Sequence, residues 1–385
     1  MVEVAERMSR IQPFYVMDLL ARTRELEAAG RSIIHLEIGE PDFATPQPIV
    51  AAGHAALDAG RTHYTPAKGL PALREAIAGH YRTSFGLDLS PHRVIVTPGA
   101  SGALQLVLSV LINPGDSVLL ADPGYPCNRH FVELVDGRPI AVPVGAETGY
   151  QLTAERVAQA WRADTKAVLV ASPSNPTGTL LSPAEMRALH RLVKQRDGAL
   201  IVDEIYQGLV YDDTGGTALT EADDVFVINS FSKYFGMTGW RLGWLVAPAE
   251  FIDPLDRLAQ NIYLSAPTLS QYAALDAFSP SVLAILEQRR REFQQRRDFL
   301  LPALRELDFA IPVTPQGAFY LYAGCGEITD DSYRFAYALL EQAGVAVTPG
   351  RDFGFHRPES HLRFAYTTSL ANLQEGVERM RHFIG

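Results

Sequence analysis

Ser230-Phe231-Ser232-Lys233-Tyr234-Phe235-Gly236-Met237-Thr238-Gly239-Trp240-Arg241 is the stretch on which the fold and chemistry of this chain turn. It follows an apolar run, Asp224-Val225-Phe226-Val227-Ile228-Asn229-Ser230, that reads as a buried strand. The 385 residues include only four lysines, and Lys68, Lys166 and Lys194 lie in polar or helix-surface contexts. Lys233 stands instead at the mouth of a buried strand, flanked by hydroxyls and glycines and followed eight residues later by an arginine. That position does little for solubility and much for reactivity. A free lysine amine has a pKa of about 10.4. Desolvation and a nearby cation lower it and expose a lone pair that attacks carbonyls.

On either side of this stretch, short β-branched runs alternate with helical patterns. Residues 93–97, 117–120, 167–171, 199–203 and 225–229 read as strands, and 102–112 and 183–195 carry helical apolar spacing. Such alternation predicts an α/β fold, a mostly parallel sheet with helices on both faces. At 42.2 kDa the chain exceeds the size at which one core stops growing, so two domains are expected. We place the large one at residues 46–280. A long Arg- and Glu-rich helical pattern over 282–307 suits a connector, and residues 317–322 and 362–366 then read as strands. This predicts a smaller α+β domain drawn from both termini, residues 1–45 and 281–385, with the N-terminal arm packed against the C-terminal part.

Composition narrows the function. With 47% hydrophobic and 20% charged residues the chain is an ordinary globular protein. A net charge of -10 without a basic stripe argues against nucleic acid as a partner. No apolar run reaches 18 residues, so no membrane partner is expected, and residues 1–10 lack the apolar core of a secretory signal. The two cysteines, Cys127 and Cys325, have no metal or redox spacing; no metal is expected, and a reducing cytoplasm suits them.

Ligands of open parallel sheets bind outside the carboxyl ends of the strands, and the unusual residues fall at such ends. Gly99-Ala100-Ser101-Gly102 follows strand 93–97 and opens a helix. Asn175-Pro176-Thr177-Gly178 follows strand 167–171, Asp203-Glu204-Ile205-Tyr206 closes strand 199–203, and Ser230 to Lys233 close strand 225–229. The first turn offers backbone N–H groups and a positive dipole end to a phosphate, to which Ser230, Ser232 and Arg241 would add charge-assisted bonds. Each residue also has a plainer reading. Gly99–Gly102 serves equally as a strand-to-helix turn, Arg241 as a surface ion pair and Asp203 as a helix N-cap. Tyr206 serves equally as core packing and Tyr125 as a turn residue.

Taken together, Asn175-Pro176-Thr177-Gly178, Asp203-Glu204-Ile205-Tyr206 and Ser230-x-Ser232-Lys233 with Arg241 resemble the signature set of the fold-type I, pyridoxal-phosphate-dependent class I aminotransferases. The resemblance extends through Leu36-x-Ile38-Gly39-Glu40-Pro41-Asp42-Phe43 and Tyr64-Thr65-Pro66-x-x-Gly69-Leu70-Pro71-x-Leu73-Arg74. It reaches Arg363 in Leu362-Arg363-Phe364, and so spans essentially the whole chain. It implies a cofactor, pyridoxal 5′-phosphate, in the large domain, and a catalytic set of Lys233, Asp203 and Tyr206. Lys233 would hold the cofactor as a Schiff base and then act as general base. Asp203 would pair with the protonated pyridine nitrogen. Asn175 and Tyr206 would hydrogen-bond the ring 3-oxygen, and Tyr125 would stack on the ring. The backbone of Ala100 and Ser101, with Ser230, Ser232 and Arg241, would hold the phosphate. Tyr64 would reach the phosphate of a neighbouring subunit, which implies a homodimer with shared sites. Arg363 would bind the substrate α-carboxylate, assisted by Asn175 and the Gly39 N–H.

The implied reaction moves an amino group from an L-amino acid to a 2-oxo acid. The alternative on the same fold is a carbon–sulfur lyase or an aminocyclopropane-carboxylate-synthase-like enzyme, which begins from the same cofactor linkage. Two further rivals fare worse. Ser230-Phe231-Ser232-Lys233 spells the S-x-x-K of serine β-lactamases, but the partner motifs S-D-N and K-T-G are absent. A regulator built on this fold would carry a DNA-binding domain ahead of it, for which these residues leave no room. Aspartate-preferring relatives of this subgroup often carry a lysine where this chain has Ser101. That difference, with Phe14, Tyr15, Val16, Met17 and Tyr320 as candidates for an apolar side-chain pocket, favours a neutral or aromatic amino donor.

Overall fold

The computed structural model describes residues 2–212 and 215–385; Met1, the head of the N-terminal stretch 1–10, and residues 213 and 214 lie outside it. In chain order the strands are β1 (Ile34–His35), β2 (Val94–Thr97), β3 (Ser117–Asp122), β4 (Arg138–Pro143), β5 (Thr165–Ala171) and β6 (Ala199–Asp203). They continue with β7 (Phe226–Ser230), β8 (Gly243–Val246), β9 (Tyr320–Gly324), β10 (Val345–Ala346), β11 (Thr348–Pro349) and β12 (His361–Ala365). Seven of them form one sheet in the order β2-β8-β7-β6-β5-β3-β4. The pairings β3–β4, β3–β5, β5–β6 and β6–β7 are parallel, and β8 alone runs against its neighbours β2 and β7. The mostly parallel α/β sheet is therefore present.

Alternation along each strand explains why helices cover both faces. Val94, Val96, Val168, Val170, Leu200 and Val202 point into one apolar core with Leu73, Ile77 and Tyr81 of helix Pro71–Phe85 and Met186, Leu189 and Val193 of helix Pro183–Gln195. The intervening Ile95, Leu169, Ile201 and Ile228 point into a second core with Leu104, Val107 and Leu108 of helix Gly99–Leu111. Every residue of β2, β7 and β8 is buried, as expected of strands covered on both sides.

Two strands of this sheet escaped the sequence reading, each for a physical reason. The β4 segment begins and ends near prolines, Pro139 and Pro143, which the ladder tolerates here because β4 is an edge. The β8 segment is a four-residue strand opening on Gly243. It returns from β7 by a hairpin that starts with Phe231 N–H donating to Leu242 O at 3.0 Å.

A separate core surrounds an antiparallel sheet of order β11-β12-β9, packed with Phe293, Leu300 and Leu304 of helix Pro280–Arg305 and with Leu373, Val377 and Met380 of helix Leu370–Ile384. The N-terminal arm joins it. β1 pairs with β10 in parallel, and helix Tyr15–Ala28 is fixed where the Tyr15 and Val16 N–H groups donate to the Asp352 carboxylate at 2.8 and 2.9 Å. Beyond β1, Leu36 N–H donates to Ala346 O at 2.9 Å and Leu36 O accepts from Ala365 N–H at 2.6 Å, so the chain continues as a rail between β10 and β12 that bends at Glu37. Among the described residues no single helix is long and apolar enough to cross a membrane.

Candidate active site

The reversed strand β8 explains how one edge of the sheet collects its chemistry. An antiparallel strand starts where its parallel neighbours end, so the residues just before β8 arrive beside the carboxyl ends of β2 and β7. Gly243 pairs with Thr97 on one side and Ser230 on the other. A Cβ on Gly243 would lie 2.8 Å from both Ala100 N and Asn229 O, so only glycine lets these backbones meet. Gly99 has φ 72°, and a Cβ there would lie 2.7 Å from Arg241 Nη2. Arg241 itself holds φ 52°, a left-handed conformation uncommon outside glycine that places its side chain over the helix start.

The result is a cluster of donors. The Ser230 and Ser232 hydroxyls are buried and 2.9 Å apart. The first N–H groups of helix Gly99–Leu111 have no helical acceptor. Arg241 donates to Thr238 O at 3.0 Å, and among the described residues no carboxylate lies within 4.0 Å of it. Positive charge and N–H groups gathered with no carboxylate beside Arg241 fit a phosphate dianion.

Lys233 and Asp203 occupy the middle of the same cavity. Lys233 Nζ donates to Gly39 O at 2.6 Å. Burial, reinforced by the charges of Arg363 and Arg241, pushes its pKa down to about 8, against the opposing pull of Glu40 and Asp203. Asp203, 5% exposed, is pushed up to about 6 by burial, partly offset by the Ile205 N–H at 3.0 Å and by Lys233. No helix starts after Asp203, since residues 204–208 form a turn, so the N-cap reading fails. A carboxylate this buried with one N–H partner fits a cationic ring N–H as its missing counterpart.

Tyr206 is buried with its hydroxyl 2.8 Å from that of Tyr320, and a Cβ on Gly39 would lie 2.6 Å from the Tyr320 hydroxyl. Arg363 sits on β12, the middle strand of its sheet, and is 3% exposed, which excludes an edge ion pair. Its Nη1 donates to Asn175 Oδ1 at 3.1 Å and its Nη2 to Glu37 O at 2.7 Å, while Nε is buried without a partner. The Tyr320 and Phe353 rings flank the guanidinium at 4.4 and 4.9 Å. A fork held this rigidly, with a donor still free, suits a carboxylate.

These groups share one cavity of about 490 Å3. It is lined by Gly39, Ala100, Ser101, Tyr125, Asn175, Asp203, Tyr206, Ser230, Ser232, Lys233, Arg241 and Arg363. Of the sequence-derived residues Tyr64 does not line it; its side chain is 80% exposed. Phe14, Val16, Met17 and Tyr320 line the cavity as expected, whereas Tyr15 turns away and packs edge-on against Tyr333. Leu20, Ile38, Glu40, Leu104, Ile205 and Thr238 also line it and were not anticipated. Helical spacing from Val16 and Met17 could have found Leu20. The Glu37 carbonyl could not have been found, because a backbone acceptor leaves no mark on residue type.

The chain matches the family model for aminotransferase class I and II over residues 31–380. It is 37% identical over 372 residues to the valine–pyruvate aminotransferase of Mycobacterium tuberculosis, covering 96% of each chain. It is 35% identical over 397 residues to the aspartate aminotransferase of Geobacillus stearothermophilus, covering 100% of this chain and 99% of that one. Among solved structures, an aminotransferase from Mycobacterium tuberculosis superposes with a TM-score of 0.96 at 36% identity, covering 100% of this chain and 99% of that one.

Proposed function

The chain belongs to the class I and II aminotransferases, and on that premise we propose that it binds pyridoxal 5′-phosphate at Lys233 and transfers the amino group of a neutral or aromatic L-amino acid to a 2-oxo acid. The two relatives named above are aminotransferases with different donors, so membership favours transamination over a lyase reaction but leaves the donor to the pocket.

The residues fit the cofactor. Ser230, Ser232, Arg241 and the N–H groups of Ala100 and Ser101 would hold its phosphate, Lys233 its aldehyde carbon, Asp203 its ring nitrogen and Tyr206 with Asn175 its phenolic oxygen. Tyr125 would cover the ring face. When bound, the cofactor supplies an electron sink for charge developing at the substrate Cα. Asp203 keeps a proton on the ring nitrogen because a carboxylate buried there gains most from a cationic partner. Arg363 grips the α-carboxylate and so orients the Cα–H toward Lys233. Lys233 Nζ, with a pKa near 8, spends an appreciable fraction of time as the free amine near neutral pH and can take and return the Cα proton.

One observation carries the donor assignment. The cavity contains two arginines, Arg241 at its phosphate end and Arg363 at its carboxylate end, and the arm wall between Phe14 and Leu20 is apolar. A second carboxylate in the substrate would meet no cation of its own there, at a cost of several kcal/mol. Half-reaction rates with alanine, valine, leucine, phenylalanine, tyrosine, aspartate and glutamate test this. Neutral donors should lead; aspartate reacting faster than every neutral donor would refute the assignment.

The active unit in this reading is a homodimer, with exposed Tyr64 reaching the phosphate bound by the second copy. Residues 46–280 act as the cofactor domain, and 1–45 with 281–385 as the domain that closes over substrate. Two free cysteines, Cys127 and Cys325, suit a cytoplasmic enzyme.

A further inference from the structure

The rail between β10 and β12 serves the site through its backbone. Glu37 O accepts from Arg363 Nη2 at 2.7 Å and Gly39 O accepts from Lys233 Nζ at 2.6 Å. The backbone groups of the neighbouring residues are tied elsewhere: Leu36 is bound to Ala346 and Ala365, and Ile38 O accepts from Thr367 Oγ1 at 2.8 Å. The chain bends at Glu37 just after β1, so the placing of residues 35–37 sets the register in which the Glu37 and Gly39 carbonyls hold Arg363 and Lys233.

The side chains at 35 and 37 supply that register. Glu37 is 1% exposed, and a carboxylate so buried is costly unless paired. Its Oε1 lies 2.7 Å from His35 Nδ1, and its Oε2 has no partner among the described residues. His35 Nε2 lies 3.0 Å from Glu27 Oε1, in the last turn of helix Tyr15–Ala28, whose first turns carry Val16, Met17 and Leu20 to the cavity wall. With a carboxylate at each ring nitrogen, only the imidazolium can donate to both, since neutral imidazole has a single N–H.

The hydrogen bond to Glu37 is the main cause that raises His35 to about 9, against desolvation, with Glu27 adding to the rise. Charged groups on the elements packed nearby are engaged elsewhere. Arg379 binds Glu375 and the Ser32 carbonyl, and Glu341 binds Arg22 and Arg31.

We propose that His35, as an imidazolium bridging Glu27 and Glu37, is a positioning residue that holds the Glu37 carbonyl, and through it Arg363, in register to grip the substrate carboxylate. The inference rests on the reading of Arg363 as the carboxylate clamp, and it ties the arm that walls the side-chain pocket to that clamp.

The test uses the holoenzyme, a neutral amino donor for kinetics, and propionate, which lacks an amine and cannot react, as an equilibrium probe of the carboxylate site. KM and the propionate dissociation constant should stay flat from pH 6.5 to 8 and rise as pH passes about 9, a limb that kcat does not share. His35→Gln should raise both constants about tenfold at pH 7 and abolish the limb. Glu27→Gln, at an exposed position, removes one carboxylate and should move the limb to lower pH. If His35→Gln lowers kcat or stability while both constants stay at wild-type values, the residue is only structural and the proposal is wrong. An unmoved limb in Glu27→Gln overturns it equally. Arg363→Lys separates the two levels. Unchanged propionate affinity there overturns the clamp, and this inference with it; weakened affinity there with no effect of His35→Gln overturns this inference alone.

Discussion

At the end of the cavity proposed for the cofactor, Ser230, Ser232, Lys233, Arg241, Gly99 and Asp203 all stand on strands of one sheet or on the turns that adjoin them. At the carboxylate end, the walls are helix Tyr15–Ala28, the rail at 35–39 and β12, brought together from opposite ends of the chain. The first end inherits its geometry from a ladder buried on both faces, and a local change there disturbs every substrate alike. The second is assembled from segments that meet only in tertiary structure, so its walls can change one at a time. The relatives are named for different amino acids, valine and aspartate, the kind of difference that wall-by-wall change would allow.

The largest effect expected at the cofactor end comes from Lys233→Ala, which should cut turnover about ten-thousand-fold for all donors. Borohydride reduction and peptide mapping of the wild type should place the pyridoxyl label on Lys233, and a label on Lys68, Lys166 or Lys194 would contradict the assignment. Before that step, cofactor capture by cofactor-free protein should quicken as pH rises and level off above about 8, the value at which Lys233 loses its proton. A capture rate still climbing at pH 10 would show an ordinary lysine.

Asp203→Asn should cost at least a hundredfold in rate for every donor, while the cofactor-free protein becomes more stable. The sign follows from the raised carboxyl. Its folded-state pKa of about 6 exceeds the usual 3.8, so burying the charge penalises folding above pH 6, and the penalty vanishes below pH 3.8. At pH 7.5 the gain is on the order of 3 kcal/mol, read as a higher midpoint in urea. Equal stability of the two proteins at pH 7.5 would show that Asp203 is better solvated than its burial implies.

A cradle that depends on glycine should fail gently. Gly99→Ala forces a Cβ against Arg241 at positive φ and should weaken cofactor retention about tenfold, equally in the presence of any donor. Met17→Arg, at the other end, should leave cofactor retention alone and shift the aspartate-to-leucine ratio of rates several-fold toward aspartate. If Met17→Arg weakened the cofactor as much as Gly99→Ala does, the two ends would not be separable.

The same division governs what could be read before any coordinates. Ser230, Ser232, Lys233 and Arg241 announced themselves because one hairpin concentrates them in a dozen residues, and Asp203 and Asn175 because each follows a β-branched run. Arg363 was legible only through the family pattern, since nothing near it in sequence reports the two rings around its guanidinium. Glu37 and Gly39 act through carbonyls, to which side-chain identity is blind. Tyr15 was misplaced because adjacent residues on a helix face different directions. Val16 reaches the cavity, and Tyr15 opens its helix with its N–H bonded to Asp352 and its ring against Tyr333.

The hairpin from β7 to β8 also sets rules for length. Phe231 and Leu242 close it, Lys233 stands two residues inside one end and Arg241 one residue inside the other. Residues added near Gly239 would open the turn Thr238–Trp240, break the bond from Arg241 Nη1 to Thr238 O and move the Arg241 anchor. One residue added between Leu242 and Gly243 would invert the pleat of β8, sending Trp244 toward the core that now receives Leu245 and pulling Gly243 out of the crossing with Ala100. A scan of single-residue insertions from 231 to 246 should therefore show its least tolerant positions from Thr238 to Gly243, marking in solubility the points where the hairpin is tied to the sheet.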